Sequence, residues 1–150
     1  MKSLVSVIIV LVSLNLSAQS PLEKEVGEFN EVKVYDLIEV NLIKSNENKV
    51  VIKGEDVSDV EVINKDGKLK IRMKFNKIFN GTKTFVAVHY TKLTIIDGNE
   101  GSFISSNELI EQDYIELKAQ EGARLKIGLD VNKVDIKAVS GGVVETRGKA

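Results

Sequence analysis

Apolar and polar residues alternate along most of the chain from residue 29 onward. The alternation is clear in residues 29–34, 37–42 and 49–53, where valine, leucine and isoleucine recur at every second position. A period of two places successive side chains on opposite faces of an extended strand, whereas a helix would repeat every 3.6 residues. The best helical segment, residues 106–113, is too short to outweigh this pattern. The sequence therefore predicts an all-β protein.

One antiparallel hairpin can be placed residue by residue around the dipeptide Asp66-Gly67. This dipeptide favours a two-residue turn, because both central positions of such a turn need a positive φ. The turn fixes the register, so that Val62 faces Ile71 and Glu61 lies opposite Arg72. The outer face of the hairpin then has two possible roles: a basic patch that binds an anionic surface, or a solvated face whose lysines prevent pairing with other strands. Nearby acidic residues favour the solvated face. Its basic residues are Lys65, Lys68, Lys70, Arg72 and Lys74.

The stretch after this hairpin contains Phe75, Ile78 and Phe79 among turn-forming residues. If exposed, the three side chains would form a binding patch. If buried, they would plug the end of the hairpin, which is the commoner outcome for large apolar side chains. We therefore predict the plug and keep the patch as the alternative.

Three similar segments follow one another in the second half, at residues 93–98, 115–120 and 134–139. Each is followed by a turn of small residues and a second short strand. A repeat of about twenty residues with strand-like alternation is typical of a β-solenoid, in which each repeat forms one coil. The interior columns are expected to be Leu93, Ile115 and Val134; Ile95, Leu117 and Ile136; and Phe103, Leu125 and Val144.

The side chains between these columns should point outward and form a flat face. Flat repeat faces suit binding because they present many weak contacts at fixed spacing. An alternative function is a carbohydrate-active enzyme, for which Glu116 and Asp135 are the candidate carboxylate pair. Neighbouring coils lie about 4.8 Å apart, which is close to the separation of about 5–5.5 Å between the two carboxyl groups of retaining glycosidases. The chain shows no groove of aromatic residues for sugar rings, and we expect no enzymatic activity. The predicted binding face consists of Thr94, Glu116, Lys118, Asp135 and Lys137.

The first eighteen residues have the order of a secretory signal peptide. Lys2 gives a positive start, residues 4–14 are almost wholly apolar, and Ala18 provides a small residue before the expected cut. The apolar run is shorter than the roughly 20 residues that span a membrane. We predict a signal peptide at residues 1–18, one domain at residues 19–150, and export to the periplasm, the cell surface or the medium.

Composition removes several kinds of chemistry from consideration. The chain has no cysteine and a single histidine, His89, so disulfides, thiolate sites and two-histidine metal sites are excluded. The 21 basic and 22 acidic residues nearly cancel, which argues against a nucleic-acid partner. Residues 97–101 could offer oxygen ligands to calcium, but Asp-Gly-Asn is also ordinary turn chemistry. We expect no cofactor and no metal.

Several of these segments, taken in order, resemble a known family. Residues 29–34, the turn at Gly54, the hairpin at residues 66–71 and the glycine-punctuated coils after Leu93 are similar to the head GIN domain of auto-transporter adhesins. These are exported proteins of uncharacterised function, common in Bacteroidetes. The resemblance extends from Phe29 to the end of the chain. It implies a right-handed parallel β-helix with an antiparallel start, placed outside the cytoplasm, and it carries over no catalytic residues.

Relatives in this family usually continue with further coils. We therefore expect that this chain is truncated at its C-terminus, or that its uncapped last coil pairs with another chain to give a homo-oligomer. The sequence as a whole predicts a non-catalytic binding or adhesion module of the envelope, with a glycan or an envelope protein as its partner. The alternatives are a carbohydrate-active enzyme and a self-assembling structural protein.

Overall fold

The computed structural model describes residues 19–150, and the predicted signal peptide lies outside the described residues. The prediction of an all-β protein is confirmed for this part of the chain. It contains two single-turn 3-10 helices, Val57–Asp59 and Phe75–Lys77, and eleven strands. The strands are β1 (Leu22–Glu25), β2 (Glu31–Val34), β3 (Glu39–Lys44), β4 (Lys49–Gly54), β5 (Val60–Lys65), β6 (Lys68–Met73), β7 (Thr84–Tyr90), β8 (Ile95–Gly98), β9 (Phe103–Ala119), β10 (Arg124–Ala138) and β11 (Val143–Lys149).

All of these strands belong to one sheet of mixed orientation, which curls into a half-barrel. The strand order is β1-β4-β7-β3-β9-β8-β2-β6-β5, and β10 and β11 continue from β9. Strand β9 connects the two regions of the sheet, because its first residues pair with β3 and its last residues pair with β8. The pairs β1–β4, β4–β7 and β5–β6 are antiparallel, and the others are parallel.

The predicted right-handed parallel β-helix, with one solenoid coil per repeat, is wrong. In a solenoid each coil contacts only its neighbours in sequence. Here β2 lies between β6 and β8, and β3 lies between β7 and β9, so strands from the two halves of the chain interleave. The three antiparallel pairs are also foreign to a parallel coil. Alternation and repeat length locate strands along the chain, but they do not determine which distant strands form hydrogen bonds with each other.

The predicted hairpin is confirmed as strands β5 and β6. Val62 lies opposite Ile71, and Glu61 lies opposite Arg72, whose guanidinium forms an ion pair with the Glu61 carboxylate. The turn residues Asp66 and Gly67 have φ values of 53° and 78°, as this type of turn requires.

The parallel register of β9 and β10 confirms the predicted neighbours in two of the interior columns. Val134 lies opposite Ile115, and Ile136 lies opposite Leu117, as expected from the repeat. Within the first repeat the register differs by one residue, because Leu117 lies opposite Ile96 and not Ile95.

The same one-residue difference occurs in the third column. Leu125 lies opposite Ile104 rather than Phe103. A shift of one residue turns each side chain to the other face of the sheet. Ile104 is therefore fully buried, whereas Phe103 is half-buried on the outer side.

The core occupies the inner face of the sheet and becomes thinner toward β10 and β11. Ile38, Val88, Ile96 and Leu117 are fully buried in it. Ile136, next to Leu117 on β10, is 51% exposed. The apolar residues in the first half of β10 are still buried, so burial, and with it the contribution of each side chain to stability, falls in the second half of β10 and in β11.

Candidate functional site

The outer face of five neighbouring parallel strands carries two rows of mostly charged side chains. Strands β6, β2, β8, β9 and β10 lie side by side in this order, about 4.8 Å apart. Because their register is parallel, residues at the same level form straight rows across the sheet. The first row is Lys68, Glu31, Ile95, Glu116 and Asp135, and the second row is Lys70, Lys33, Asp97, Lys118 and Lys137.

The structure brings four of the five predicted face residues together. Glu116 lies opposite Asp135, and Lys118 lies opposite Lys137, on the outer side of β9 and β10. Thr94 precedes β8 and takes no place in the two rows, because Ile95 occupies the position beside Glu116.

The hydroxyl of Thr94 serves the backbone instead of the outer face. It donates a hydrogen bond to the carbonyl oxygen of Asn30 at 3.1 Å. The Thr94 carbonyl in turn accepts a hydrogen bond from the backbone N–H of Glu116 at 2.9 Å. Thr94 therefore helps to align β8 with its neighbours and offers little to a ligand.

The rows include a buried polar cluster that sequence reasoning missed. Asp97 is only 3% exposed, and its carboxylate lies 3.4 Å from the Lys33 ammonium. Asn99 and Gln120 each donate an amide hydrogen bond to Asp97 Oδ1, at 3.0 and 3.2 Å. The contact between Lys33 and Asp97 joins β2 to β8, and no local signal in the sequence connects these two strands.

The electrostatics of this cluster favour a fixed cation at its centre. Burial lowers the pKa of the Lys33 ammonium, but the charge of Asp97 and the contact with Tyr35 raise it by more, so the net pKa lies above its usual value. Lys33 therefore stays charged across the physiological pH range. The centre of the outer face is thus a rigid pattern of charges and amides.

The carboxylates proposed for the enzymatic alternative already have partners. Glu116 Oε1 lies 3.3 Å from the Lys118 ammonium, and Asp135 Oδ2 lies 3.4 Å from the Lys133 ammonium. Asp135 also accepts a hydrogen bond from the Tyr114 hydroxyl at 3.0 Å, and this bond, together with burial, raises the pKa of Tyr114. Both carboxylates are therefore engaged by side chains of the sheet itself.

Within residues 19–150, no group of three or more histidine, aspartate or glutamate side chains is placed to hold a metal ion. The turn at residues 97–101, which could have offered oxygen ligands, uses Asp97 in the cluster with Lys33. The same part of the chain has no helix that is long and apolar enough to cross a membrane.

A second surface feature is the loop between β6 and β7, where the predicted hydrophobic plug is wrong. Phe75 is 90% exposed, Phe79 is 58% exposed and Ile78 is 43% exposed. These three side chains, the apolar tip, form the exposed patch that was the alternative to the plug.

Asp36 explains why the apolar tip does not fold into the core. This buried carboxylate accepts hydrogen bonds from the backbone N–H groups of Met73 at 2.9 Å and Phe79 at 3.1 Å. Its own carbonyl accepts the N–H of Gly81 at 2.9 Å. Asp36 thus ties both ends of the loop together, and Phe79 is held at a φ of 58°, which is uncommon for a bulky residue.

Beside the apolar tip lies a cleft of about 420 Å³ with charges of both signs. Lys70, Arg72 and Lys74 line it, and so do Asp36 and Glu100. Burial raises the pKa of Glu100, and a hydrogen bond with Asp36 and the negative charge of that residue raise it further. The cleft thus contains two neighbouring carboxyl groups, Asp36 and Glu100, and a negative charge on both at once is disfavoured.

These features define a β-sheet domain with a flat charged outer face and an exposed apolar tip. The chain belongs to the family described as "Putative auto-transporter adhesin, head GIN domain", whose model matches residues 28–150. The family membership predicted from the sequence is confirmed. The description is that of an adhesin-like domain, and it names no enzymatic activity.

Three crystal structures, each described as a putative adhesin, share the fold. The structure from Bacteroides fragilis is 19% identical with a TM-score of 0.74 and covers 85% of this chain. The structure from Parabacteroides merdae is 17% identical with a TM-score of 0.71 and covers 85% of this chain. The structure from Parabacteroides distasonis is 21% identical with a TM-score of 0.73 and covers 81% of this chain.

The chain spans 60%, 57% and 53% of the length of these three structures, respectively. Identities of this size establish the fold alone. Among proteins with curated descriptions, none matches the chain in sequence.

Proposed function

We propose that the protein is an exported, non-catalytic binding module of the cell surface or envelope. Its adhesion surface is the outer face of strands β6, β2, β8, β9 and β10. The observation that carries this proposal is the register of the two rows, which sets charged groups at regular intervals across parallel strands. Such a surface binds through many weak contacts that act together. The predicted signal peptide and the adhesin-like family support a place outside the cytoplasm.

The ligand that suits this face best is a polysaccharide with charged and hydroxyl groups at repeated intervals. Glu116 and Asp135 offer acceptors along one row, and Lys118 and Lys137 offer donors along the next. A glycan chain lying across the strands would meet these groups repeatedly, which compensates for the low affinity of each contact.

An exchange of charges on the face tests this proposal without changing the net charge. We expect the double variant Glu116→Lys with Lys118→Glu to lose at least about tenfold in affinity for its polysaccharide. The exchange keeps an ion pair within β9, so the fold should remain intact. The measurement counts bound protein on a panel of immobilised polysaccharides and released reducing ends in the same wells.

The matched control exchanges a second ion pair elsewhere on the surface. Glu23 on β1 and Lys49 on β4 lie 3.2 Å apart, and Glu23→Lys with Lys49→Glu repeats the same charge exchange there. This control should bind as the wild type does. Equal binding by the face variant would contradict the assigned surface, and release of reducing ends would show an enzyme.

A second candidate function, self-assembly, is favoured by the exposed strand β11. Among residues 19–150, β11 pairs with β10 alone, and its other edge pairs with no strand of this range. Two copies of β11 paired antiparallel about Thr146 would place Glu145 of each copy opposite Arg147 of the other. Such twofold pairing satisfies both backbones and forms two ion pairs.

We expect this pairing to produce a dimer that Glu145→Lys disrupts, because a lysine there would face Arg147 twice. Glu28→Lys, the same charge change at an exposed residue before β2, should leave the dimer unchanged. Sedimentation equilibrium at rising protein concentration is the measurement. A wild-type protein that stays monomeric at high concentration would rule out the self-assembly.

A further inference from the structure

The loop after β6 is a second surface that the proposed function does not use. We propose that the apolar tip inserts into the headgroup layer of a phospholipid bilayer, and that the neighbouring cleft holds the headgroup of an aminophospholipid. The apolar tip lies outside the two charged rows, and the cleft shares Lys70 with the second row. The inference rests on the exposure of the tip, on the way Asp36 holds it, and on the charges of the cleft.

The apolar tip is held outward by the structure. Single exposed apolar residues are ordinary, but three large ones within five residues form a patch. Because Asp36 holds both ends of the loop, the tip is already ordered, and binding to a bilayer costs little additional conformational entropy. Phenylalanine and isoleucine have no polar atoms with which to bind sugar hydroxyls, whereas such side chains partition readily into the interfacial region of a bilayer.

The surroundings of the tip also suit a headgroup layer. Lys74 directly precedes the tip in the sequence and Lys77 lies within it, and long lysine stems allow an ammonium to reach lipid phosphates while apolar neighbours lie deeper. Part of the positive charge in this region is offset, since Lys77 lies 3.6 Å from Asp56, and Arg72 pairs with Glu61. The region is therefore not strongly basic, and we expect a zwitterionic bilayer rather than an anionic one as its partner.

The cleft explains why the headgroup should carry an amine. In the part of the chain that the structure describes, no ion pair includes Lys70 or Glu100, although both line the cleft. A phosphate would find its partner in Lys70, and a primary ammonium would find its partners in Glu100 and Asp36. An aminophospholipid carries these two groups in one headgroup. An ammonium beside Glu100 and Asp36 would also relieve their mutual repulsion.

Co-sedimentation with vesicles tests the inference. The protein is the portion covering residues 19–150, because its core is formed within this range and because the apolar residues 4–14 would themselves bind lipid. The vesicles are phosphatidylcholine alone, phosphatidylcholine with phosphatidylethanolamine, and phosphatidylcholine with phosphatidylglycerol. We expect the strongest binding to the phosphatidylethanolamine vesicles, with little dependence on salt.

Two sets of variants separate the tip from the cleft. Phe75→Ser combined with Phe79→Asn should lower partitioning to all vesicles at least about tenfold, and asparagine accepts the positive φ at that position. Lys70→Gln should abolish the preference for phosphatidylethanolamine and leave a residual affinity. Leu22→Ser, which removes another exposed apolar side chain on β1, is the control and should bind as the wild type does.

Several results would overturn the inference. The tip has no role if the wild type fails to sediment at millimolar lipid, or if the tip variant binds equally well. Equal loss in Leu22→Ser would indicate general apolar adhesion. Binding that requires phosphatidylglycerol and disappears with salt would indicate attraction by lysines alone. Loss of polysaccharide capture in the tip variant, with no vesicle binding by the wild type, would assign the tip to a glycan.

Discussion

Asp36→Ala is expected to lower the free energy of unfolding by about 3 kcal/mol. The change removes a buried carboxylate that accepts two backbone N–H groups, those of Met73 and Phe79, and hydrogen bonds to a charged acceptor contribute about 1.5–3 kcal/mol each. Relief of the repulsion from Glu100 offsets part of this loss. The measurement is urea unfolding at pH 7, followed by circular dichroism.

The control for this prediction must separate the lost hydrogen bonds from the effect of backbone conformation. Asp66 also has a positive φ, 53° compared with 59° at Asp36, but its side chain is exposed. Asp66→Ala therefore measures the cost of alanine in this conformation, and we expect about 1 kcal/mol. If the two variants lose the same stability, Asp36 does not hold the loop as described.

Leu117→Ala is expected to cost about 3 kcal/mol. Leu117 is fully buried on β9, in register with Ile96 on β8 and Ile136 on β10. Truncation of a buried leucine removes its transfer free energy and leaves a cavity, which together amount to about 2–5 kcal/mol. Urea unfolding measures the loss.

The matched variant is Ile136→Ala, one strand away in the same row. Because Ile136 is 51% exposed, we expect a loss of about 1 kcal/mol or less. A loss equal to that of Leu117→Ala would mean that β10 is covered in solution. That result would contradict a thin core at the second half of β10 and would favour pairing with a second copy.

The parts of the fold that the sequence predicted correctly depend on local signals. The turn at Asp66-Gly67 determines its own hairpin, because the turn geometry and the register follow from two adjacent residues. The parallel neighbours Ile115 and Val134 were found because similar segments repeat along the chain. The overall architecture was predicted wrongly, because strands from the two halves of the chain interleave. The repeat indicates pairing between successive segments only and gives no information on these long-range contacts.

The register of the first repeat could not be predicted from the alternation of apolar and polar residues. Ile95 and Ile96 are adjacent apolar residues, so alternation fits either one as the inward residue. The pairing of β8 with β9 selects Ile96. The charged rows therefore include Asp97 and Lys33, which were not predicted to lie on the face, and they exclude Thr94, which was predicted to lie there.

The apolar tip was expected to be buried because composition alone favours that outcome. Its exposure depends on Asp36, which lies on the other side of the β5–β6 hairpin in the sequence and binds the loop from a distance. The sequence contains other aspartates with similar neighbouring residues. It therefore does not show which aspartate is buried and accepts hydrogen bonds from backbone N–H groups.

The most direct test of the central claim is polysaccharide binding by residues 19–150, measured for the wild type and for Glu116→Lys with Lys118→Glu. We predict that the wild type is retained without release of reducing ends, and that the exchange of charges on β9 removes this retention. The tip variant, Phe75→Ser with Phe79→Asn, should be retained as the wild type is. Retention of the face variant at wild-type levels would contradict the claim that the outer face of the parallel strands is the adhesion surface.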